Sequence, residues 1–397
     1  MPSVWPFVPE LGATETFEYK TEVLKSYTQE QRLRLRDKPR YILGYNFLLD
    51  DEQYALAKAV IKRENQTGGY YVPVWQEAFK FSGTINSADT TIAVNTKDYK
   101  YTDIRVIVWR DWDDYALCTI QSLTEDTLTL TAPVGKTLVD PWIIPVKTMR
   151  LYQSVEVTSG APNNHTMTAR FNSIDHTNYI KVNEDFFQAL DLFDYVDIFA
   201  FPFPAYKNIT AFVNPPFRMQ EVSSSLIRPV EMIDNGFGPI VVEPLLSFVE
   251  NRFNMDFFYQ GIEQRIDTLG LLCQFYGKQR PFWLPTYQND VRLVSGTYSG
   301  SSLTVLAIGD IGDYINENLF IRQADGTYQF ATVLNAVVSG GNYVLTLEAA
   351  LASPVSNTLT QSISFMNLSR FDTDTVQVTN GAGLSGRVTL NSIEVPN

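Results

Sequence analysis

Apolar and polar residues alternate with a period of two over long parts of this chain, a pattern typical of half-buried β-strands. The alternation is clear in TFEYKTEVLKSYTQEQRLRL, which starts at Thr16, and again in VENRFNMDFFYQGIEQRIDTL, which starts at Val249. Both stretches contain a Glu-Gln-Arg triplet, formed by Glu30, Gln31 and Arg32 in the first and by Glu263, Gln264 and Arg265 in the second. We therefore predict strands in both stretches, with the triplets at equivalent positions.

A second segment also occurs twice, after each triplet. Residues 71–84 are YVPVWQEAFKFSGT and residues 282–297 are FWLPTYQNDVRLVSGT, so that Pro73 corresponds to Pro285 and Trp75 to Tyr287. Only the first copy carries DDEQYALAKAVIKRENQTGG before this segment, and its periodicity predicts a helix of about three turns from Asp51. We expect the second copy to lack this helix.

Each repeated segment is followed by short alternating stretches that Asp, Asn and Gly separate. These stretches predict a small β barrel at about residues 82–146 and another at about residues 295–364. SVEVTSG from Ser154 and TVQVTNG from Thr375 then give a fourth correspondence in the same order. The chain is therefore predicted to be mainly β, with duplicated β domains that each have a small inserted or appended β barrel.

The predicted domains are residues 1–175, an ordered connecting segment at 176–244, and residues 245–397. The connecting segment is rich in Pro, Phe and short β runs, and not in the Gly and Ser of a flexible tether. Asn235 and Gly236 lie between apolar runs, which predicts a tight hairpin there.

Composition narrows the classes of function. The 397 residues include 31 Lys and Arg against 44 Asp and Glu, a net charge of −13, which argues against a surface that binds nucleic acid. The apolar stretch at 186–206 is interrupted by Asp and Pro, and no secretory signal is recognisable, so we expect a protein made in the cytoplasm without membrane insertion. The two cysteines, Cys118 and Cys273, are expected to be buried and reduced.

Candidate catalytic and metal-binding residues are few. The two histidines, His165 and His176, have no partner at metal-ligand spacing, and we expect both to be structural. Asp111, Asp113 and Asp114 resemble the start of a calcium loop but lack its Gly and distal Glu, so a hairpin turn is favoured. No enzyme, metal or cofactor is predicted.

The Glu-Gln-Arg triplets allow two interpretations. They are either solvated strand ends, or a recurrent Glu–Arg pairing that fixes a hairpin or a subunit contact.

The order of these motifs resembles that of minor tail proteins of long-tailed bacteriophages. It is similar to the distal tail and hub proteins between the tail tube and the tail tip, a group also seen in gene transfer agents. The residues that carry the resemblance are Glu30, Gln31, Arg32, Arg36, Pro39, Arg40, Val72, Pro73, Val74 and Trp75 in the first copy, and Glu263, Gln264, Arg265, Arg280, Pro281, Leu284 and Pro285 in the second. The resemblance implies tail-tube-like β domains that form a ring without enzymatic activity.

The implied function is a structural ring or hub of the tail tip in the virion, joining the sixfold tail tube to the threefold tip. The implied partners are further copies of this chain (a homotrimer with a pseudo-sixfold ring, or alternatively a homohexamer), the tail tube protein, other tail-tip or hub proteins and the tape measure protein. DNA is expected to pass through the channel without specific binding.

Two other functions stay open. Exposed Trp109, Trp112 or Trp142 would favour a module that binds host-surface carbohydrate. A cell-wall hydrolase is the enzymatic alternative.

Overall fold

The structure is a computed structural model, and it confirms that the protein is mainly β. It describes residues 3–36, 39–64, 69–94, 105–124, 126–152, 154–161, 163–174, 204–213, 223–234, 236, 240–246, 249–381 and 385–395. The α-helices among these residues are α1 (Asp51–Arg63) and α2 (Ile262–Gln274), and short 3-10 helices lie at Trp75–Glu77 and Ile311–Tyr314. No helix in these ranges is long and apolar enough to cross a membrane.

The first half contains sixteen described strands. They are β1 (Ser3–Val4), β2 (Thr14–Glu18), β3 (Thr21–Lys25), β4 (Glu30–Arg34), β5 (Arg40–Leu49), β6 (Tyr70–Pro73), β7 (Phe79–Lys80), β8 (Thr84–Ile85), β9 (Thr91–Ala93), β10 (Arg105–Trp109), β11 (Tyr115–Thr124), β12 (Thr127–Leu130), β13 (Leu138–Val139), β14 (Trp142–Leu151), β15 (Glu156–Ala161) and β16 (Asn164–Ser173).

The second half contains sixteen more. They are β17 (Ala205–Tyr206), β18 (Ile209–Thr210), β19 (Ser223–Ile227), β20 (Val230–Ile233), β21 (Val241–Pro244), β22 (Glu250–Gln260), β23 (Phe282–Pro285), β24 (Thr297–Tyr298), β25 (Ser302–Leu306), β26 (Asn318–Gln323), β27 (Tyr328–Ser339), β28 (Asn342–Leu347), β29 (Val355–Ser356), β30 (Thr360–Phe371), β31 (Thr375–Asn380) and β32 (Ser385–Glu394).

The two halves repeat one order of elements and one pairing scheme. In the first half β2 pairs with the long strand β5, and the hairpin β3–β4 lies between them in sequence. In the second half β19 pairs with the long strand β22, and the hairpin β20–β21 lies between them. A helix, a short strand and a closing hairpin then follow in each half, and the last strand of that hairpin returns to pair with the long strand.

This repeat starts earlier in the second half than the sequence indicated. β19 precedes residue 245, and Ala211 forms a parallel bridge with Trp283 as β1 does with β6. Much of residues 204–244 therefore pairs as the first part of the second unit, while residues 176–203 of the predicted connecting segment lie outside the described residues. The predicted hairpin is β20–β21, in which Ile233 pairs with Val241. Asn235 of the predicted tight turn lies outside the described residues.

The expectation that the second copy lacks the helix is wrong. α2 follows β22 directly, as α1 follows β5, and it contains the triplet Glu263, Gln264 and Arg265. The first triplet instead lies in β4 of a hairpin. The two triplets therefore do not occupy equivalent positions.

Each half also has a small β region with its own hydrophobic core. The ladders run in the order β9–β12–β11–β10–β14 in the first half and β25–β28–β27–β26–β30 in the second. No ladder among the described residues closes either region into a barrel, so the two barrels stay predictions. Buried side chains such as Val106 and Leu128 fill the first core, and Leu303 and Val333 fill the second.

The larger core is shared by the two halves. It combines aromatic residues of the first half, including Trp5 and Phe47, with Tyr259, Phe275 and Phe371 of the second. One strand spans the boundary, because β2 pairs with β5 on one side and with β31 on the other. This strand joins the two halves edge to edge in one antiparallel sheet.

Candidate functional site at the junction of the halves

A buried arginine lies at the centre of the junction. The first turn of α2 places Arg265 against the first half, where its guanidinium donates to Glu15 at 2.6 Å and to Glu77 at 2.9 Å. Only 1% of Arg265 is exposed. Glu15 also accepts from the Tyr41 hydroxyl at 3.0 Å and from the Asn380 amide at 2.9 Å. Several donors therefore compensate the buried carboxylate, which is what a buried charge requires.

The pKa values of Glu15 and Arg265 are both shifted in the direction that favours the charged form. Burial alone would raise the pKa of Glu15, but the charge and hydrogen bonds of Arg265, with those of Tyr41 and Asn380, hold it below its usual value. Burial would likewise lower the pKa of Arg265, but Glu15 and Glu77 raise it well above its ordinary value. At neutral pH an ion pair between the halves thus ties the junction.

A second ion-pair cluster joins the halves through the hairpin β3–β4. Arg370 of β30 binds both carboxylate oxygens of Glu30, at 2.6 and 2.9 Å, and Lys25 of β3 binds Glu250 of β22. Arg32 lies 3.6 Å from Glu30 within the triplet. Glu30 and Arg265 each pair across the halves, but with different partners and from different elements. These two residues are therefore not solvated strand ends. The Glu263 side chain lies outside the described residues, so a Glu–Arg pairing that recurs in both triplets stays a prediction.

The proline and aromatic residues of the other repeated segment do lie at equivalent positions. Pro73 ends β6 opposite Val146, and Pro285 ends β23 opposite Met366. Two residues later, the ring of Trp75 packs edge-on against Trp109 at 5.1 Å, and the hydroxyl of Tyr287 donates to the Phe212 carbonyl at 3.0 Å. These residues anchor the turn after the short strand to its own half.

Three tryptophan rings line a cavity beside the junction. Trp75, Trp109 and Trp142 surround about 570 Å³ together with residues 8–13 and Asn380. Trp109 is only 8% exposed, and its indole nitrogen donates to the Pro6 carbonyl. Trp112 and Trp142 are half-buried, so none of the three tryptophans considered for sugar stacking stands free in solvent.

A serine, a histidine and an aspartate also form a chain of hydrogen bonds in the first half. The Ser159 hydroxyl lies 2.7 Å from Nδ1 of His165, whose Nε2 lies 2.7 Å from an Asp51 carboxylate oxygen. The His165 ring stacks on Tyr54 at 4.4 Å. Asp51 is 62% exposed, unlike the buried carboxylate that orients histidine in a serine hydrolase.

Other candidate chemistry gives no site in the part of the chain that the structure describes. No cluster of His, Cys, Asp and Glu there could hold a metal ion. Residues 110–114 form the turn between β10 and β11, as the hairpin interpretation predicted. Cys118 and Cys273 are buried and form no disulfide, and burial raises the pKa of Cys118 to about 11. His176 lies outside the described residues.

The sequence analysis missed Glu15, Glu77, Asn380 and Arg370. One signal was present for Glu15, because it shares the period-two face of β2 with Phe17, and both are buried. A carboxylate on an apolar strand face indicates a buried partner. No protein-family model matches the chain, and no curated protein matches it either.

Proposed function

We propose that this protein is a structural ring or hub component of a phage tail tip, joining the sixfold tail tube to the threefold tip. The observation that carries the proposal is the edge-to-edge pairing of β2 with β31, which links two units of the same strand order. Two such units in one chain correspond to two successive positions of a ring. Three chains then give six positions, which suits a threefold neighbour on one side and a sixfold neighbour on the other.

The partners of such a ring are further copies of this chain, the tail tube protein, other tail-tip or hub proteins and the tape measure protein. The net charge of −13 supports a channel that DNA passes without specific binding, because like charge opposes contact with phosphate. The location is the virion.

The test is a reconstruction of the tail tip from purified particles. We expect three chains in a ring of approximate sixfold symmetry, with the two halves alternating. Six chains per ring would replace the trimer by the hexamer. Absence of the protein from purified particles would contradict the proposal itself.

One observation favours a hydrolase as a second candidate function. The chain Ser159–His165–Asp51 has the residue types and hydrogen-bond distances that acyl hydrolysis needs. Labelling by a fluorophosphonate, together with zymography on cell wall, would detect it, and Ser159→Ala is the matched control. Labelling that Ser159→Ala abolishes would establish this candidate, and absence of labelling would contradict it.

The cavity between the tryptophans supports the third candidate, carbohydrate binding. Glycan-array binding that Trp142→Ala abolishes would establish it. The control is Trp112→Ala, because Trp112 is also half-buried but lies outside this cavity.

A further inference from the structure

The junction inside the chain shows which strand edges of this unit pair with each other. The first strand of one unit, β2, pairs with the first strand of the closing hairpin of the other unit, β31. The strand equivalent to β2 in the second unit is β19, and the strand equivalent to β31 in the first unit is β15. Among the described residues, β15 pairs only with β16 and β19 pairs only with β22. One edge of each strand therefore has no neighbour within the described chain.

The strand registers show which residues of the first half correspond to which residues of the second. Val157 lies opposite Met167, which is opposite Phe47 of β5, while Val378 lies opposite Val388, which is opposite Phe257 of β22. Val157 thus corresponds to Val378, and Val155 to Val376. By the same comparison along the long strands, Leu226 of β19 corresponds to Phe17 of β2.

The exposure of these residues differs sharply between the two places. Inside the chain, Phe17 and Val376 lie opposite each other and each is 3% exposed. Leu226 is 74% exposed, and Val155 is half-buried. Edge strands usually avoid pairing with other chains by carrying Lys or Pro. β19 (Ser223–Ile227) has neither, and it exposes a leucine.

An apolar groove lies beside β15. It measures about 320 Å³ and is lined mainly by Tyr54, Ile61, Leu151, Val155, Val157 and Met167. Counted from the first residue of each helix, Tyr54 of α1 corresponds to Arg265 of α2. In the strand registers, Ser224 corresponds to Glu15. The acceptor and the cation of the internal junction are thus both replaced by uncharged residues. Neither Ser224 nor Tyr54 would therefore be a buried unpaired charge at this contact. Lys58 also lines the groove, with its Nζ 4.5 Å from the centre of the Tyr54 ring.

We propose that β19 of one chain pairs antiparallel with β15 of a second copy, with Leu226 opposite Val155 and Ser224 opposite Val157. Leu226 then fills the groove beside β15 as Phe17 fills the internal junction. The contact joins different surfaces of two identical chains, so its repetition closes a ring or extends a filament. This inference rests on the proposed function and specifies the subunit contact that it requires.

The test introduces one cysteine on each edge. In the double variant Leu226→Cys/Val155→Cys, directly opposed residues lie close enough for a disulfide. Mild oxidation of purified tail particles that carry this variant should link successive chains covalently. The control Leu226→Cys/Thr158→Cys is three residues out of register and should give at least tenfold less cross-linked product. Equal cross-linking in both variants, or none in either, would contradict the register.

A second variant tests the contact without a cross-link. Leu226→Asp should lower self-association, or incorporation into particles, at least tenfold. Its melting temperature should stay unchanged, because the side chain is exposed in the isolated chain. Unchanged incorporation would contradict the inference.

These outcomes separate the inference from the proposed function. If the protein is in the particle but its chains are not linked through residues 226 and 155, the inference is wrong and the function stands. If the linked chains form in solution while the protein is absent from particles, the pairing is right and the function is wrong.

Discussion

At the scale of single residues, the junction depends on charges that cross from one half to the other. Once Glu15 is neutralised, Arg265 keeps one ion-pair partner among the described residues, Glu77, and solvent does not reach its guanidinium. Removing one member of a buried ion pair leaves the other uncompensated, and that loss exceeds what an exposed pair contributes.

We therefore expect Glu15→Gln to lower the free energy of unfolding by about 2–4 kcal/mol at pH 7. Urea denaturation measures this. The control Asp114→Asn, which loses a partly exposed contact to Lys136, should change it by less than about 1 kcal/mol. Because the folded pKa of Glu15 is lowered, its contribution is present above the unfolded value of about 4.3 and is lost as pH falls further. A variant as stable as the wild type at pH 7 would show that the pair is not stabilising.

The pKa of Glu394 is shifted in the opposite direction from that of Glu15. Burial, with the charge of Glu317, raises its pKa to about 7, although an Asn251 backbone N–H opposes the shift. Its folded pKa exceeds the unfolded one, so stability is full below about 4.3 and falls as pH rises towards 7.

Glu394→Gln should therefore gain about 1–2 kcal/mol over the wild type between pH 4 and pH 8, a value reduced for partial solvent exposure. Thermal unfolding across this range is the measurement. The exposed control Glu348→Gln should follow the wild-type profile, and a Glu394→Gln profile parallel to the wild type would contradict the assignment.

At the scale of elements, the strands and α1 were predictable, whereas α2 was not. α1 begins with a capping box between Asp50 and Gln53 and is rich in alanine, so the local sequence alone predicts this helix. α2 has no side-chain cap, carries Ile, Thr and Gly270 in its interior, and is stabilised by tertiary packing of Leu269 and Leu272. The shared letters Glu-Gln-Arg then suggested an equivalence with β4, although Glu52 and Gln53 of α1 are the structural counterparts of Glu263 and Gln264.

The closing hairpin of the second half packs closely against β22 at Gly386. Gly386 occupies the place that His165 holds in the first half, and an added Cβ there would lie 2.1 Å from the Tyr259 ring. Tyr259 cannot move freely, because its hydroxyl donates to Asn380 at 2.5 Å.

Gly386→Ala should therefore destabilise the fold by about 2–3 kcal/mol, the cost of overpacking a core. Gly160→Ala is the matched control in the other hairpin, because nothing lies within 4 Å of its added Cβ. Urea denaturation compares the two. A Gly386→Ala variant as stable as Gly160→Ala would show that Tyr259 relaxes without loss.

At the scale of the whole molecule, the sequence indicated two similar halves but not how they join. The pairing of Phe17 with Val376 connects residues at opposite ends of the chain, and no local pattern marks either strand as the partner of the other. Nor does a local pattern show that Glu15 and Arg265 meet. Such contacts depend on the arrangement of complete units, which period-two alternation leaves undetermined.

The shared core has a consequence for unfolding. Because β2 belongs to a sheet with both β5 and β31, and because the ion pairs of Arg265 and Arg370 cross the same boundary, neither half can lose its central strands without exposing the other. The small β regions have separate cores and can open as local units.

We therefore expect β5 and β22 to lose amide protection at the same urea concentration, and β10 and β26 at a lower one, in hydrogen exchange followed by mass spectrometry. Glu15→Gln, although it lies in the first half, should shift the transitions of β5 and β22 by the same amount, because the pair it breaks holds both. Asp114→Asn should shift neither. If Glu15→Gln shifted the urea transition of β5 but not that of β22, the halves would be independent domains. The internal junction would then no longer serve as a template for the contact between chains.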